Sequence, residues 1–242
     1  MSMVYGVVLA GGIGSRMGNV EKPKQFLELG GKPIIIHTIE KFVVHPGLDQ
    51  VLVLSPRAWV SYTQDIIRRY LPDTGRIKVL AGGDTRNETI MNAVRYIEEQ
   101  GCLDEETIIV THDSVRPFLT HRILEENIQA ARTYGACDTV IPATDTIVES
   151  KDNEKITDIP NRKFMYQGQT PQSFKAKQLK EMYEALSPEE KDVLTDACKI
   201  MVLKGVHVHL VQGEVFNIKI TYPYDITVAK ALLGMDLEEK EC

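Results

Sequence analysis

The sequence predicts an α/β domain whose central sheet is mostly parallel and carries helices on both faces. Three observations lead there. Short apolar runs at residues 4–10, 50–54, 76–81 and 107–111 alternate with stretches of helical periodicity, the rhythm of crossover units. Two of these runs end in glycine-rich turns, where a ligand can approach the backbone at the carboxyl edge of a sheet. A chain of 242 residues with 43% apolar side chains is long enough to bury one large core.

The first run, Val4-Tyr5-Gly6-Val7-Val8-Leu9-Ala10, feeds into Gly11-Gly12-Ile13-Gly14-Ser15-Arg16-Met17-Gly18. Peptide N–H groups left free by such a turn form an anion nest, and Arg16, Lys22 and Lys24 add full positive charges just beyond it. A phosphate site is the reading; a glycine turn with solvated cations is the alternative. The spacing is not that of a P-loop, which needs Gly-x-x-x-x-Gly-Lys-Ser/Thr. Nor is it the dinucleotide fingerprint, because Gly18 falls one place late and the second run ends in Ser55-Pro56-Arg57 rather than an acid. A dinucleotide-dependent oxidoreductase is therefore a distant alternative, and a nucleotide sensor without activity a third.

A helix is expected over 33–43, with Pro33 in its first turn, and another over 58–70, stopped by Pro72. The third strand ends in Gly82-Gly83-Asp84-Thr85-Arg86-Asn87-Glu88-Thr89, in which Thr85 and Glu88 have the spacing of a capping box. This second glycine turn should face the same crevice as the first, as a base or ribose site. The fourth strand ends in His112-Asp113-Ser114-Val115-Arg116-Pro117. Asp113, at a strand tip opposite a phosphate nest, suits a magnesium ion shared with phosphate oxygens, or else caps a turn. Arg116 could meet a second phosphate in bidentate fashion or form a surface ion pair. His112 reads as structural.

Beyond a helix at 121–134 and a strand at 139–142, the texture changes. Residues 143–165 alternate apolar and polar positions about Asp152-Asn153, the pattern of a β-hairpin that leaves the core. A lone ribbon is marginal in water, so it is expected to pack on a second subunit. The stretch 167–174 returns to the body, and helices follow at 175–186, after the capping box of Ser187 and Glu190, and through Met201. Strands at 208–211 and 217–221 and a helix at 223–233 close the chain. Lys219, mid-strand and facing opposite to Ile218 and Ile220, should snorkel to solvent or point at an anion.

A net charge of −6 disfavours a nucleic-acid or membrane-surface partner. No apolar run nears the roughly 20 residues that span a bilayer, and no charged leader precedes the first strand, so a cytoplasmic location is expected. Cys102, Cys137, Cys198 and Cys242 are scattered, which suggests neither a zinc site nor a disulfide framework.

Taken together, Leu9-Ala10-Gly11-Gly12, Ser15-Arg16-Met17-Gly18, Pro23-Lys24-Gln25-Phe26, Gly82-Gly83-Asp84, His112-Asp113-Ser114-Val115-Arg116-Pro117, Gln169-Thr170-Pro171-Gln172 and Asn217-Ile218-Lys219 resemble the sugar-phosphate cytidylyltransferases over nearly the whole chain. The resemblance implies a single Rossmann-like nucleotidyltransferase domain over 1–242, with the 143–165 arm serving a homodimer. It implies that Leu9, Ala10, Gly11, Gly12, Gly82, Gly83, Asp84, Thr85, Arg86, Asn87, Glu88, Thr89 and Ser114 bind CTP. Arg16, Lys24, Arg162 and Lys219 would be catalytic, and Arg116, Thr146, Arg162 and Lys219 would meet a polyol phosphate. Asp113 would hold Mg2+, with Mn2+ as its substitute. Thr146 and Arg162 could serve the neighbouring subunit's cleft. Within the family, Leu9-Ala10-Gly11-Gly12, Arg162-Lys163-Phe164-Met165-Tyr166 and Thr195-Asp196-Ala197-Cys198-Lys199 are most similar to the ribitol-phosphate branch, which implies a link to a ribulose-5-phosphate reductase and to teichoic acid synthesis. The methylerythritol-phosphate branch is the alternative.

Overall fold

The computed structural model describes residues 2–12, 22–72 and 75–238, with side chains to residue 234. β1 (Val4–Leu9) is buried along its whole length, as an unbroken apolar run requires of a strand covered on both faces. A short 3-10 turn (Lys24–Phe26) leads to a small antiparallel ribbon, β2 (Glu28–Leu29) and β3 (Lys32–Pro33). Gly30 and Gly31, both at positive φ, close it. No sequence pattern marks this ribbon, because two residues a side are too few to show alternation.

α1 (Ile34–Val43) begins immediately after Pro33, which caps it rather than joining its first turn. β4 (Gln50–Ser55) and a 3-10 turn (Arg57–Trp59) precede α2 (Val60–Tyr70). After β5 (Ile77–Ala81), α3 (Arg86–Glu99) opens with the expected capping box: Thr85 Oγ1 accepts from the Glu88 N–H, and Glu88 accepts from the Thr85 N–H. β6 (Ile108–Asp113), α4 (His121–Tyr134) and β7 (Ala136–Pro142) follow.

β8 (Tyr166–Lys175) is a ten-residue strand where the sequence promised only a return to the body. Gly168 and Pro171 disguise it, since both are depleted in strand interiors. α5 (Ala176–Glu184), α6 (Pro188–Asp192), α7 (Cys198–Leu203), β9 (His209–Gln212) and α8 (Pro223–Glu238) complete the chain. The expected strand at 217–221 does not form. Ile220 makes one backbone bond to Val115 and sits in a small cluster with Leu29, Ile34 and Ala229, which accounts for the apolar alternation without a ladder.

The seven-stranded sheet runs β5-β4-β1-β6-β8-β7-β9. β5, β4, β1 and β6 are parallel, β8 is antiparallel to both its neighbours, and β9 is parallel to β7. α1, α2 and α4 bury Ile39, Phe42, Ile66, Ile123 and Ile128 against one face; α3, α5 and α7 bury Ile90, Val94, Leu179 and Ile200 against the other. The 143–165 arm holds one antiparallel bridge, Glu149 to Asp158, about a turn with Asn153 at φ 61°. Its Val148, Ile156, Ile159 and Phe164 are exposed. Among the described residues no helix is long and apolar enough to cross a membrane. Cys242 lies outside them.

Two positions make the packing testable. Gly6 in β1 lies under the Phe42 ring, which a Cβ would strike. Phe42 is fully buried and cannot swing away, so Gly6→Ala should cost about 1–3 kcal/mol in denaturant unfolding. Asp138, on β7, accepts a hydrogen bond from Gln172 Nε2 at 3.1 Å. Burial, with repulsion from Asp196, pushes its carboxyl up to about 7. A carboxyl raised on folding contributes stability below its unfolded value that is lost as pH rises through the folded one. Asp138→Asn should therefore match the wild type near pH 4 and exceed it near pH 8 in thermal denaturation, by up to on the order of 4 kcal/mol.

Candidate active site

Parallel strands deliver their carboxyl ends to one edge of the sheet, and a cleft of about 350 Å³ opens there. Leu9, Gly11 and Gly12 continue β1 into it; Lys24 and Gln25 enter from the 3-10 turn; Gly83, Asp84, Thr85, Arg86 and Thr89 come from the start of α3. Asp113, Ser114 and Val115 extend β6, and Lys219 arrives from the irregular segment after β9. Both glycine turns thus face one hollow. Packing requires their smallness: a Cβ on Gly83 would collide with Glu88, and one on Gly11 would press on Thr89.

Asp113 is the charge centre. Its Oδ1 pairs with Arg86, its Oδ2 accepts from Lys219 Nζ at 2.9 Å, and Arg116 Nε stands 3.5 Å from the same Oδ2. Burial opposes its ionisation, yet the Arg86, Lys219 and Arg116 charges prevail and hold its carboxyl well below the usual carboxylate range. It stays an anion at any ordinary pH.

A buried network fixes this carboxylate from beneath. The Asp113 N–H donates to Thr170 Oγ1 at 3.2 Å, and that hydroxyl shares a 2.8 Å bond with His112 Nδ1. His112 Nε2 lies 3.1 Å from the Arg116 carbonyl, which makes Nε2 the protonated nitrogen and the Thr170 hydroxyl the donor to Nδ1. Burial pushes His112 down to about 4, so the ring is neutral and structural, as its strand-end position suggested. Arg116 NH1 donates to the Asn217 carbonyl at 2.7 Å, and Asn217 Nδ2 donates to the Thr170 carbonyl at 2.9 Å. Three distant sequence motifs are one hydrogen-bonded unit, which aims Asp113 and Lys219 at each other.

Of the residues expected to hold ligands, Leu9, Gly11, Gly12, Gly83, Asp84, Thr85, Arg86, Thr89, Ser114, Lys24, Lys219 and Asp113 line the cleft. Ala10, Gly82, Asn87 and Glu88 belong to the same turns but do not line it. Arg16 lies outside the described residues. Arg116 does not line the cleft: its N–H bonds back to the Asp113 carbonyl at 3.1 Å, so the chain turns at Asp113, and its buried side chain pairs with Asp113 Oδ2. Thr146 and Arg162 are not brought to this chain's cleft. Both are exposed on the arm, where Arg162 NH1 donates to the Thr144 carbonyl at 2.7 Å. Lys219 meets an anion as expected, but from an irregular segment rather than a strand. The sequence reading missed Gln25, whose buried side chain reaches the cleft and whose proximity to Lys24 was the available signal. It also missed the roles of Thr170 and Asn217, which depend on contacts across the fold.

Among the described residues, the acids that line the cleft are Asp84 and Asp113, and no group of three His, Cys, Asp or Glu side chains is arranged to hold a metal. Such a set fits a magnesium ion only in the way common at phosphate sites, with one or two carboxylates and the substrate's phosphate oxygens completing the shell.

The sequence model of the 2-C-methyl-D-erythritol 4-phosphate cytidylyltransferase family matches residues 4–235. Solved structures agree. A 4-diphosphocytidyl-2C-methyl-D-erythritol synthase from Anaerococcus prevotii is 27% identical, with 96% of each chain covered and a TM-score of 0.78. The 2-C-methyl-D-erythritol 4-phosphate cytidylyltransferase from Francisella tularensis is 25% identical over 94% of this chain and 98% of its own, with a TM-score of 0.77. The Thermus thermophilus enzyme of that name is 25% identical over 96% and 98%, with a TM-score of 0.69. A glycine-walled cleft at the sheet's carboxyl edge, a cation-ringed carboxylate and a match over almost the entire chain place this protein in the 2-C-methyl-D-erythritol 4-phosphate cytidylyltransferase family.

Proposed function

We propose that the protein transfers a cytidylyl group from CTP to D-ribitol 5-phosphate, giving CDP-ribitol and pyrophosphate for poly(ribitol phosphate) teichoic acid synthesis. The observation that carries the reaction class is the convergence of Lys24, Arg86 and Lys219 with Asp113 on one glycine-lined cleft. The acceptor rests on the ribitol-branch motifs at Leu9-Ala10-Gly11-Gly12 and Arg162-Lys163-Phe164-Met165-Tyr166. A second reading, transfer to 2-C-methyl-D-erythritol 4-phosphate, is favoured by the names of the matching family and structures.

An ionised oxygen of the acceptor phosphate bonds to the α-phosphorus of CTP. The bond from that phosphorus to the bridging oxygen breaks with its electron pair, and pyrophosphate departs. No base is needed, because a phosphate monoester with a second pKa of about 6 is largely dianionic at neutral pH. The obstacle is bringing two anions together. Backbone N–H groups of the glycine turns and the charges of Lys24 and Lys219, with Arg16, offset that repulsion and favour the added charge at phosphorus. Arg86 can exchange Asp113 for phosphate. Asp113 would hold Mg2+ together with phosphate oxygens, and the bound ion supplies further neutralisation and orientation.

The exposed apolar side chains of the 143–165 arm support its proposed role as a homodimer contact, through which Thr146 and Arg162 would reach the neighbouring cleft. The acceptor's chemistry calls for a reductase acting on ribulose 5-phosphate upstream.

Offered CTP and magnesium, the protein should release pyrophosphate faster with ribitol 5-phosphate than with 2-C-methyl-D-erythritol 4-phosphate. The reverse ranking would transfer the assignment to the second reading, and no release with either would remove cytidylyl transfer. Lys24→Ala and Lys219→Ala should each lower kcat about a hundredfold to a thousandfold while circular dichroism stays unchanged. Near-normal turnover in either would take that lysine out of the mechanism.

A further inference from the structure

Lys24 sits on a 3-10 turn of three residues, with backbone bonds from the Phe26 N–H to the Pro23 carbonyl at 2.9 Å and from the Leu27 N–H to the Lys24 carbonyl at 3.1 Å. So short a turn has poor intrinsic stability and must be held from outside. Gln25, 1% exposed, supplies one hold by donating Nε2–H to the Ala10 carbonyl at 2.7 Å. Phe26 supplies the other. Its ring stacks on Trp59 with centroids 5.3 Å apart and meets Tyr62 edge-on at 5.1 Å, while Trp59 and Tyr62 meet edge-on at 5.4 Å. These are the favoured aromatic geometries. The Lys22 ammonium lies 5.3 Å from the Tyr62 ring centroid and extends the contact to the near side of the turn.

The platform is itself anchored. Thr63 Oγ1 donates to the Trp59 carbonyl at 2.8 Å and shares a 2.7 Å bond with Ser55 Oγ, at the end of β4. Neither Trp59 nor Tyr62 lines the cleft. We propose that Trp59 and Tyr62 are positioning residues, which act on the reaction through Phe26 by fixing the backbone that carries Lys24. A lysine side chain is too flexible to orient itself, so the accuracy of its charge depends on a rigid base. This inference rests on the role given to Lys24 above.

The test combines amide exchange with a kinetic cycle on the full chain. In Trp59→Ala, exchange at the Phe26 and Leu27 amides should accelerate about tenfold or more, and kcat should fall about tenfold with the acceptor KM changed less than about twofold. Trp59→Phe should restore both. In a Lys24→Ala background, Trp59→Ala should cost less than about twofold more, because its effect passes through the missing ammonium. Unchanged exchange, or losses that multiply in the double variant, would overturn the proposal. Should Trp59→Ala fail to fold, Tyr62→Leu carries the same readings. A wild type inactive with either acceptor would instead remove the transfer reading, and the exchange rates would still decide whether the rings hold the turn.

Discussion

One carboxylate at the tip of β6 sets the electrostatics of the cleft. Asp113 is buried, which alone would raise its pKa, yet it faces Arg86, Lys219 and Arg116. Arg116 and Lys219 need it as much as it needs them. Arg116 is buried, and Lys219 is drawn to the cleft from a segment that belongs to no strand. The anion therefore gathers cations around a hollow that would otherwise disperse them by mutual repulsion.

Holding that anion still is the task of the sheet's antiparallel insertion. β8 wedges between β6 and β7 and brings Thr170 against the backbone of Asp113, so the polar network and the hydrophobic layers share the same strand. Phe174 is buried against the α3 face, while Thr170, four residues earlier, serves the site. Cleft geometry and core packing are thereby coupled: a shift of β8 in the core would move the hydroxyl that holds the Asp113 backbone.

Much of the architecture was legible in the chain because its signals are local. The apolar runs that became β1, β4, β5 and β6, the Thr85 and Ser187 capping boxes, and both glycine turns depend on neighbours a few residues away. β8 escaped notice because Gly168 and Pro171 break a strand's appearance, and its register is set by partners more than fifty residues before it in β6. The apparent strand at 217–221 misled for the opposite reason: Ile218 and Ile220 alternate to fill a pocket beside Val115, with no strand to pair with.

The sequence by itself determined the crossover rhythm, the placing of two glycine turns at the carboxyl ends of strands, and the marking of Lys24, Asp113 and Lys219, all of which line the cleft, since each follows from residue type and short-range spacing. Tertiary structure decided which charges meet. It drew the buried Arg116 side chain onto Asp113, left Thr146 and Arg162 on the arm, and set Phe26, two residues beyond Lys24, against Trp59 from a separate stretch of the chain. Long-range hydrogen bonds and ring contacts depend on how strands are ordered in space, and that order is a property of the whole packed sheet, carried by no single stretch of the chain.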